Sequence, residues 1–429
     1  MTMLDLRDAL DAIPTSIATG RLVEAVGPVL QAELPAVPIG AIASVAPGTR
    51  CEVVGFRGGR ALLMPLEPVS GLSYGAAVRV EEPFLRVPIG DGLFGRVIDG
   101  LGRPIDGGPP LRADSWRIVR ADPPAPMERP PIQMPAPTQV RVIDAMLPIG
   151  IGQRVCIVAG SGVGKSTLLG MLARGVKADV CVVCLVGERG REVREFVERD
   201  LAGRLDRSVV LAVTSDQSPA LQVRAPFAAT AIAESFRDRG AHVLLLVDSL
   251  TRLAHAQRQI GLASGEPPTT RGFTPSVFAL LPALFERAGP SPKGAITAFY
   301  TVLVEADDAN DPIADAARGI VDGHIVLSRR IASRGQWPAI DVLASLSRLI
   351  DRVAEPRHLA LATRARRLMA TWADNEELVR LGAYRRGTSP EVDEALALVP
   401  RLFELFQQSP RNLAPTETTL ADLAAILGG

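Results

Sequence analysis

Three glycines at alternate positions, followed at once by a lysine and two hydroxyls, mark the run Val155-Cys-Ile-Val-Ala-Gly-Ser-Gly-Val-Gly-Lys-Ser-Thr-Leu-Leu169 as the most chemically telling part of this sequence. The apolar start, the glycine-rich middle and the helical pattern beyond it read as strand, phosphate loop and helix. In that geometry the backbone of Gly160, Ser161, Gly162, Val163, Gly164, Lys165, Ser166 and Thr167 wraps a triphosphate, its N–H groups and the helix N-terminus facing the oxygens. Lys165 neutralises the β- and γ-phosphates, and the Ser166 hydroxyl ligates Mg²⁺. The pattern G-x-x-x-x-G-K-[S/T] asks for glycine where Ala159 stands. That position ends the strand, where an ordinary negative φ suffices, so alanine is compatible. A chance Gly/Ser loop would lack the correctly placed strand and helix, so the segment is read as a nucleotide-binding site.

Further acids and arginines stand where such a site needs them. Val243-Leu-Leu-Leu-Val-Asp-Ser249 is an apolar strand ending in Asp248, the place of a second Mg²⁺ contact. Taken alone, that aspartate would equally serve as a helix N-cap. Gly187-Glu-Arg-Gly-Arg-Glu192 directly follows a strand at 180–186. If that strand neighbours the phosphate-loop strand, Glu188 and Arg189 reach the γ-phosphate, where a carboxylate activates water and an arginine holds phosphate oxygens. The bland alternative is a solvated charge run opening a helix. Arg252, one turn beyond Asp248, reaches the same place, while Arg348 is unremarkable in isolation.

These residues need a scaffold. With 429 residues, 47% hydrophobic and 22% charged, the chain is globular and too long for one core. The 47 basic and 47 acidic residues balance, which gives no sign of an obligate nucleic-acid partner. Only three of the basic residues are lysines, so one inside a phosphate loop is less easily an accident. Cys181 and Cys184 lie three apart in an apolar strand, hence on opposite faces, and read as buried thiols. The four histidines have neither metal-ligand spacing nor an evident partner. With no signal peptide and no membrane-length apolar run, the expected location is the cytoplasm.

In chain order, residues 1–14 read as a short amphipathic arm. Residues 15–90 carry short β-rich runs between glycine and proline breaks, the pattern of a small barrel or sandwich. Residues 91–139 read as a turn-rich connector, around 95–107, and a proline-dense extended linker. From 140 to 349 strands alternate with helices, with strands expected at 154–158, 180–186, 209–213, 242–247, 295–302 and 323–327 and helices at 218–239 and 249–261. Residues 350–429 read as helices at 352–367, 376–381 and 390–407 and a last one from Thr418.

Ala159-Gly-Ser-Gly-Val-Gly-Lys-Ser-Thr167, Gly187-Glu-Arg-Gly-Arg-Glu192 and Asp248-Ser-Leu-Thr-Arg252, with Gly265-Glu-Pro-Pro-Thr-Thr-Arg-Gly272, Pro338-Ala-Ile-Asp341 and Gly382-Ala-Tyr-Arg-Arg-Gly387, resemble the RecA-type hexameric ATPases related to the rotary ATP synthase headpiece. Within that group the sequence is most similar to the ATPases of type III protein export, flagellar or injectisome. The resemblance implies an α/β fold: a RecA-like parallel-sheet ATPase core with an N-terminal small β-barrel and a C-terminal helical domain. It also implies ATP and Mg²⁺ held by Lys165, Ser166 and Asp248, water activated by Glu188, and γ-phosphate support from Arg189 and Arg252. Arg348 falls where the family places an arginine finger serving the neighbouring subunit. Trp337 falls where relatives stack an aromatic, usually tyrosine, on adenine, and Phe406 is a candidate for the opposite face.

Because Glu188 and Arg348 share one chain, the expected assembly is a homohexamer. The implied partners are a stalk protein, a negative regulator, the membrane export gate and chaperone–substrate complexes, with the ring cytoplasmic and peripheral to the inner membrane. Ala306-Asp-Asp-Ala-Asn-Asp-Pro-Ile-Ala-Asp315 and His324-Ile-Val-Leu-Ser-Arg-Arg330 favour the flagellar branch over an injectisome. A nucleic-acid translocase on the same ring is the other class, disfavoured because the barrel segment lacks interleaved aromatic and basic residues. A ring subunit that binds nucleotide without turnover is a third, and Glu188 argues against it.

Overall fold

The computed structural model describes residues 18–304, 308 and 310–428. The expected arm at 1–14 and positions 306, 307 and 309 of the acid-rich stretch lie outside the described residues.

A closed barrel comes first, with neighbours in the order β1 (Thr19–Val26), β2 (Val29–Glu33), β5 (Arg60–Pro65), β4 (Thr49–Arg57), β3 (Ile42–Val45) and β6 (Ala77–Glu82). Strand alternation sorts its two surfaces. Leu30, Ala32, Ala43, Val45, Cys51, Val53 and Leu63 fill the interior, whereas Ile42, Leu62 and Met64 face outward into the core of the next domain. Two polar contacts fasten this docking. Arg224 forms a two-pronged pair with Glu52, 2.6 Å at each prong, and Arg57 donates to the Ser264 carbonyl at 2.6 Å.

The connector does more than link. β7 (Arg86–Ile89) pairs with β9 (Ser115–Ile118), and β8 (Arg96–Ile98) lies parallel to β12 (Ser208–Thr214) at the edge of the large sheet. β8 is three residues long, too short for a period to register in the sequence.

The large sheet runs β17 (Ile340–Ser347), β16 (Gly323–Leu327), β10 (Arg154–Ala159), β15 (Ala295–Leu303), β13 (His242–Asp248), β11 (Val180–Glu188), β12, β8, with the two-residue β14 (Gly289–Pro290) paired to β15. All six expected strands are present, five of them a residue or two longer. β17 is not among them: Leu343 and Leu346 are exposed there, which spoils the alternation. It is also antiparallel to β16. One face of the sheet packs Val158, Cys184, Val247 and Tyr300 against helices including Pro219–Arg237. The other packs Ile157, Cys181, Leu246 and Phe299 against the helix Lys165–Gly175 and the C-terminal helices. Cys181 and Cys184 thus lie on opposite faces, buried and free.

The C-terminal domain is helical, with Pro356–Arg380, Pro390–Phe406 and Thr416–Leu427. The runs expected at 352–367 and 376–381 belong to one continuous helix, since residues 368–375 hold good helix formers and no breaker. The histidines do have partners: His242 on Thr297, His324 on the Ala344 carbonyl, His358 on the Ala145 carbonyl, and His255 stacked on Phe273. Among the described residues no helix is long and apolar enough to cross a membrane.

Beneath the sheet Arg287 and Glu234, each 1% exposed, form a two-pronged pair at 2.9 and 2.7 Å. Removing Arg287 leaves the buried Glu234 carboxylate with only the longer contact to Arg117, at 3.4 Å. Arg287→Leu is therefore expected to cost about 3–5 kcal/mol of stability, read as a lowered thermal midpoint, with Arg287→Leu/Glu234→Leu regaining much of the loss. A single variant that melts like the parent contradicts this.

Candidate active site

β10 ends at Ala159, fully buried and still paired with Leu303, so the first motif position is ordinary strand and needs no glycine. The chain then turns through Gly162 (φ 78°) and Gly164 (φ 91°), conformations that a side chain resists. Val163 is buried at 2% exposure and pins the loop, while Ser161 and Ser166 stay exposed. The indole of Trp337 lies against the turn: a Cβ built on Gly164 would meet its Cζ3 at 3.0 Å. Glycine at 164 thus answers both to its φ and to the ring.

The acids arrive from the ends of the neighbouring strands. Leu244, Leu246 and Asp248 alternate onto the face that carries the phosphate-loop helix, and Phe299 and Thr301 do the same on β15. Lys165 donates to Asp248 Oδ1, and the Thr301 hydroxyl donates to the same oxygen at 2.7 Å. Glu188 completes the group, its Oε1 3.5 Å from the Lys165 ammonium. The strand order qualifies the expectation here, because β11 is not beside β10; β15 and β13 lie between them. Glu188 reaches the lysine because β11 continues past a register break at Gly187 (φ 68°), a bulge that re-aims the next side chain.

Burial and the Asp248 charge push the Glu188 carboxyl from its ordinary 4.5 up to about 7, only partly offset by Lys165. Its Oε1 is buried and accepts no hydrogen bond. One ammonium among two carboxylates leaves the group short of positive charge. Ser166, Glu188 and Asp248 line one cavity of about 90 Å³. Hydroxyl and carboxylate oxygens in a site short of cations suit Mg²⁺, which takes few protein ligands and completes its shell with water and phosphate. Among the described residues no cluster of three or more His, Cys, Asp or Glu forms an all-protein metal cage.

Other expected residues fare differently. Arg189 has 78% of its side chain exposed and meets Glu192, another wall of that cavity, at 3.6 Å, so its guanidinium lies in solvent at the rim. Arg252 is exposed but lays its stem on Gly187, beside Glu188. Arg348 is exposed and donates to the Arg318 carbonyl at 3.1 Å. It follows Ser347, which pairs with Gly323 at the start of β16, whereas the phosphate loop follows Ala159, which pairs with Leu327 at its end. Four strand rises, roughly 13 Å, hold Arg348 at the opposite edge of its own sheet. Phe406 is corrected: 3% exposed inside the apolar core of the C-terminal helices, it offers no ring face to a base.

Sequence reasoning missed Thr301 and Gln407. The Trp337 N–H donates to Gln407 Oε1 and the Trp337 carbonyl accepts from the Gln408 N–H, both at 2.8 Å. The two glutamines also line a polar cavity of about 500 Å³ with Arg141 and Asn412. A buried threonine in a strand and a glutamine pair after a helix carry no motif, so only contact identifies them.

Residues 139–347 match the ATP synthase alpha/beta family, nucleotide-binding domain, and residues 354–425 match the T3SS EscN ATPase C-terminal domain. The chain is 46% identical to the flagellum-specific ATP synthase of Bacillus subtilis, covering 100% of this chain and 99% of that protein. It is 50% identical to the type 3 secretion system ATPase of Xanthomonas euvesicatoria, covering 95% and 93%. The assembled ATPase EscN from the type III secretion system of enteropathogenic E. coli superposes with a TM-score of 0.92 at 44% identity, covering 95% of this chain and 100% of that one. EscN has also been solved in complex with its central stalk EscO, with a TM-score of 0.89 at 43% identity, over 95% of this chain and 100% of that one.

Glu188 titrates higher in the folded than in the unfolded chain, so between about pH 4.5 and 7 the folded state binds more protons and this carboxyl weakens the fold as pH rises. Glu188→Gln is expected to raise the thermal midpoint of the nucleotide-free protein at pH 8 by about 2–4 °C, a gain that shrinks towards pH 5. Identical midpoints at pH 8 contradict the charge account of the cluster.

Proposed function

The chain belongs to the ATP synthase alpha/beta family, in its branch of flagellar and type III secretion ATPases, and from that premise we propose that this ATPase works as a homohexameric ring energising export of flagellar proteins. Hydrolysis would drive unfolding of cargo and its release from chaperones at the cytoplasmic face of a membrane export gate. A stalk protein in the ring's channel and a negative regulator are the further partners of this reading, and the ring is cytoplasmic and peripheral to the inner membrane. An injectisome ATPase is the second reading, because relatives from both systems share 46–50% of residues with this chain.

One observation carries the mechanism. Lys165, Asp248 and Glu188 converge at one edge of the sheet, while Arg348 of the same chain stands at the other. In the proposed cycle Lys165 leaves Asp248 for the phosphates, and the N–H groups of Gly160 to Thr167 hold the remaining oxygens. Ser166 and Asp248 would hold Mg²⁺, which neutralises phosphate charge when bound. Glu188 takes the proton of the attacking water, a task for which a pKa near 7 is well matched. Arg252 supports the γ-phosphate from beside Gly187, and Arg189 joins it only by swinging in from solvent. Trp337 stacks on adenine next to Gly164. Arg348 is out of reach of its own loop and serves the adjoining subunit, which explains why one polypeptide suffices for every site of the ring.

Glu188→Gln is expected to bind ATP normally and to hydrolyse it at least about 100-fold more slowly, the usual worth of a general base. Arg348→Ala is expected to lose about 10³–10⁵ in rate, and the parent's turnover per chain should fall on dilution as rings dissociate. Mixing Glu188→Gln with Arg348→Ala subunits should restore activity, since some interfaces then pair an intact Glu188 with an intact Arg348. A flat mixing curve refutes the trans role. Loss of motility on deleting the gene supports the flagellar assignment, and unchanged motility with lost effector secretion supports the injectisome.

A further inference from the structure

The mechanism above gives Asp248 a metal to hold but leaves open what holds Asp248. Its carboxylate takes two hydrogen bonds, from Lys165 and from Thr301, both on Oδ1. The two donors differ in kind. Lys165 sits on a long flexible stem at the mouth of the phosphate loop, and its charge belongs to phosphate once nucleotide arrives. Thr301 is fully buried near the carboxyl end of β15, with Ile157 of β10 as its strand partner on one side and Tyr300 beside it paired to Val247 of β13. Its position is set by the sheet and not by the ligand.

We infer that Thr301 is a positioning residue for the metal: its hydroxyl anchors Oδ1 of Asp248 so that the other carboxylate oxygen is aimed at the cation. A hydroxyl has one proton to give, and here it goes to the carboxylate at 2.7 Å. A carboxylate anchored through one oxygen cannot swing about its terminal torsion, so its free oxygen keeps one direction when Lys165 departs. Outer partners of this kind orient metal ligands, and their loss typically costs about 10–100-fold in metal affinity. The packing role that any buried threonine has is met by valine, which keeps the shape and the branched β-carbon and removes only the hydroxyl. The inference rests on Asp248 being a metal ligand, as proposed above.

The test is Mn²⁺ binding to the protein–ADP complex, followed by electron paramagnetic resonance, beside metal-free ADP binding to the same proteins. Thr301→Val is expected to weaken Mn²⁺ binding about 10-fold or more while metal-free ADP affinity stays unchanged, and Thr301→Ser is expected to restore the metal. ATP turnover in Thr301→Val should recover partly at high Mg²⁺. Parental Mn²⁺ affinity in Thr301→Val, or an equal loss in Thr301→Ser, overturns the inference. If Thr301→Val does not fold, Thr301→Ala takes its place in the same comparison. Asp248→Asn reports separately on the premise: undiminished Mn²⁺ binding there removes the metal role of Asp248, whereas loss there with none in Thr301→Val removes only the role of Thr301.

Discussion

A buried ammonium that must find its counter-charge within a few ångströms is the constraint on which this site depends. Lys165 is 9% exposed and Asp248 3%, so neither could sit there alone without a desolvation cost of several kcal/mol. Together with Glu188 they sum to one negative charge, and burial, joined by the Asp248 charge, holds the Glu188 carboxyl above its ordinary range. A free triphosphate would enter against two carboxylates. On the reading proposed above, a triphosphate carrying its own cation would give Lys165 a new partner and Asp248 a replacement for the lysine. On that reading, charge balance alone would favour the metal–nucleotide complex over the bare nucleotide.

The parallel sheet delivers these groups because all its parallel strands end at one edge. Asp248 is the last residue of β13 and Glu188 the last of β11, and alternation along β13 and β15 places Asp248 and Thr301 on the face under the phosphate-loop helix. Alternation alone would have turned Glu188 the other way, since Cys184 and Val186 face the opposite core. The bulge at Gly187 breaks the count, and Arg252 packs so closely over that glycine that any Cβ there would collide with its side chain. Glycine at 187 is therefore required twice, for its positive φ and for the approach of Arg252.

Much of this was legible from residue order. The phosphate loop, the strand-terminal Asp248 and the acid after β11 are local signals, each a residue type at a fixed offset from an apolar run. What failed was whatever depended on which strands become neighbours or on which way a side chain faces at a helix end. The adjacency assumed for β10 and β11 did not hold, since β15 and β13 lie between them; Glu188 nonetheless comes within 3.5 Å of the Lys165 ammonium, whereas Arg189 stays in solvent. Phe406 was misplaced because an aromatic near a helix end reads alike whether it faces a cavity or a core, and here the core of three helices takes it. Arg189 shares its motif with Glu188 yet opens the helix Gly190–Glu195 from the solvent side, so a motif supplied the neighbourhood without the direction.

The C-terminal domain is drawn into the chemistry by a similar logic. Trp337 rests on Gly164, yet its backbone is bonded on both sides to Gln407 and Gln408, which follow the helix Pro390–Phe406. Gln408 in turn accepts from the Arg141 N–H and donates to the Gln139 carbonyl, tying the same segment to the entry of the nucleotide-binding domain. A base stacked on Trp337 would thus press on a ring whose frame belongs to the helical domain, while the phosphates press on a loop whose frame belongs to the sheet. Arg348, fixed at the opposite sheet edge on the Arg318 carbonyl, moves with that same sheet. On the trans reading, nucleotide in one subunit and the finger offered to the next would be connected through the paired strands β16 and β17. A ring of such chains would then need no separate relay between sites, because the sheet proposed to bind one nucleotide would also carry the arginine offered to its neighbour's.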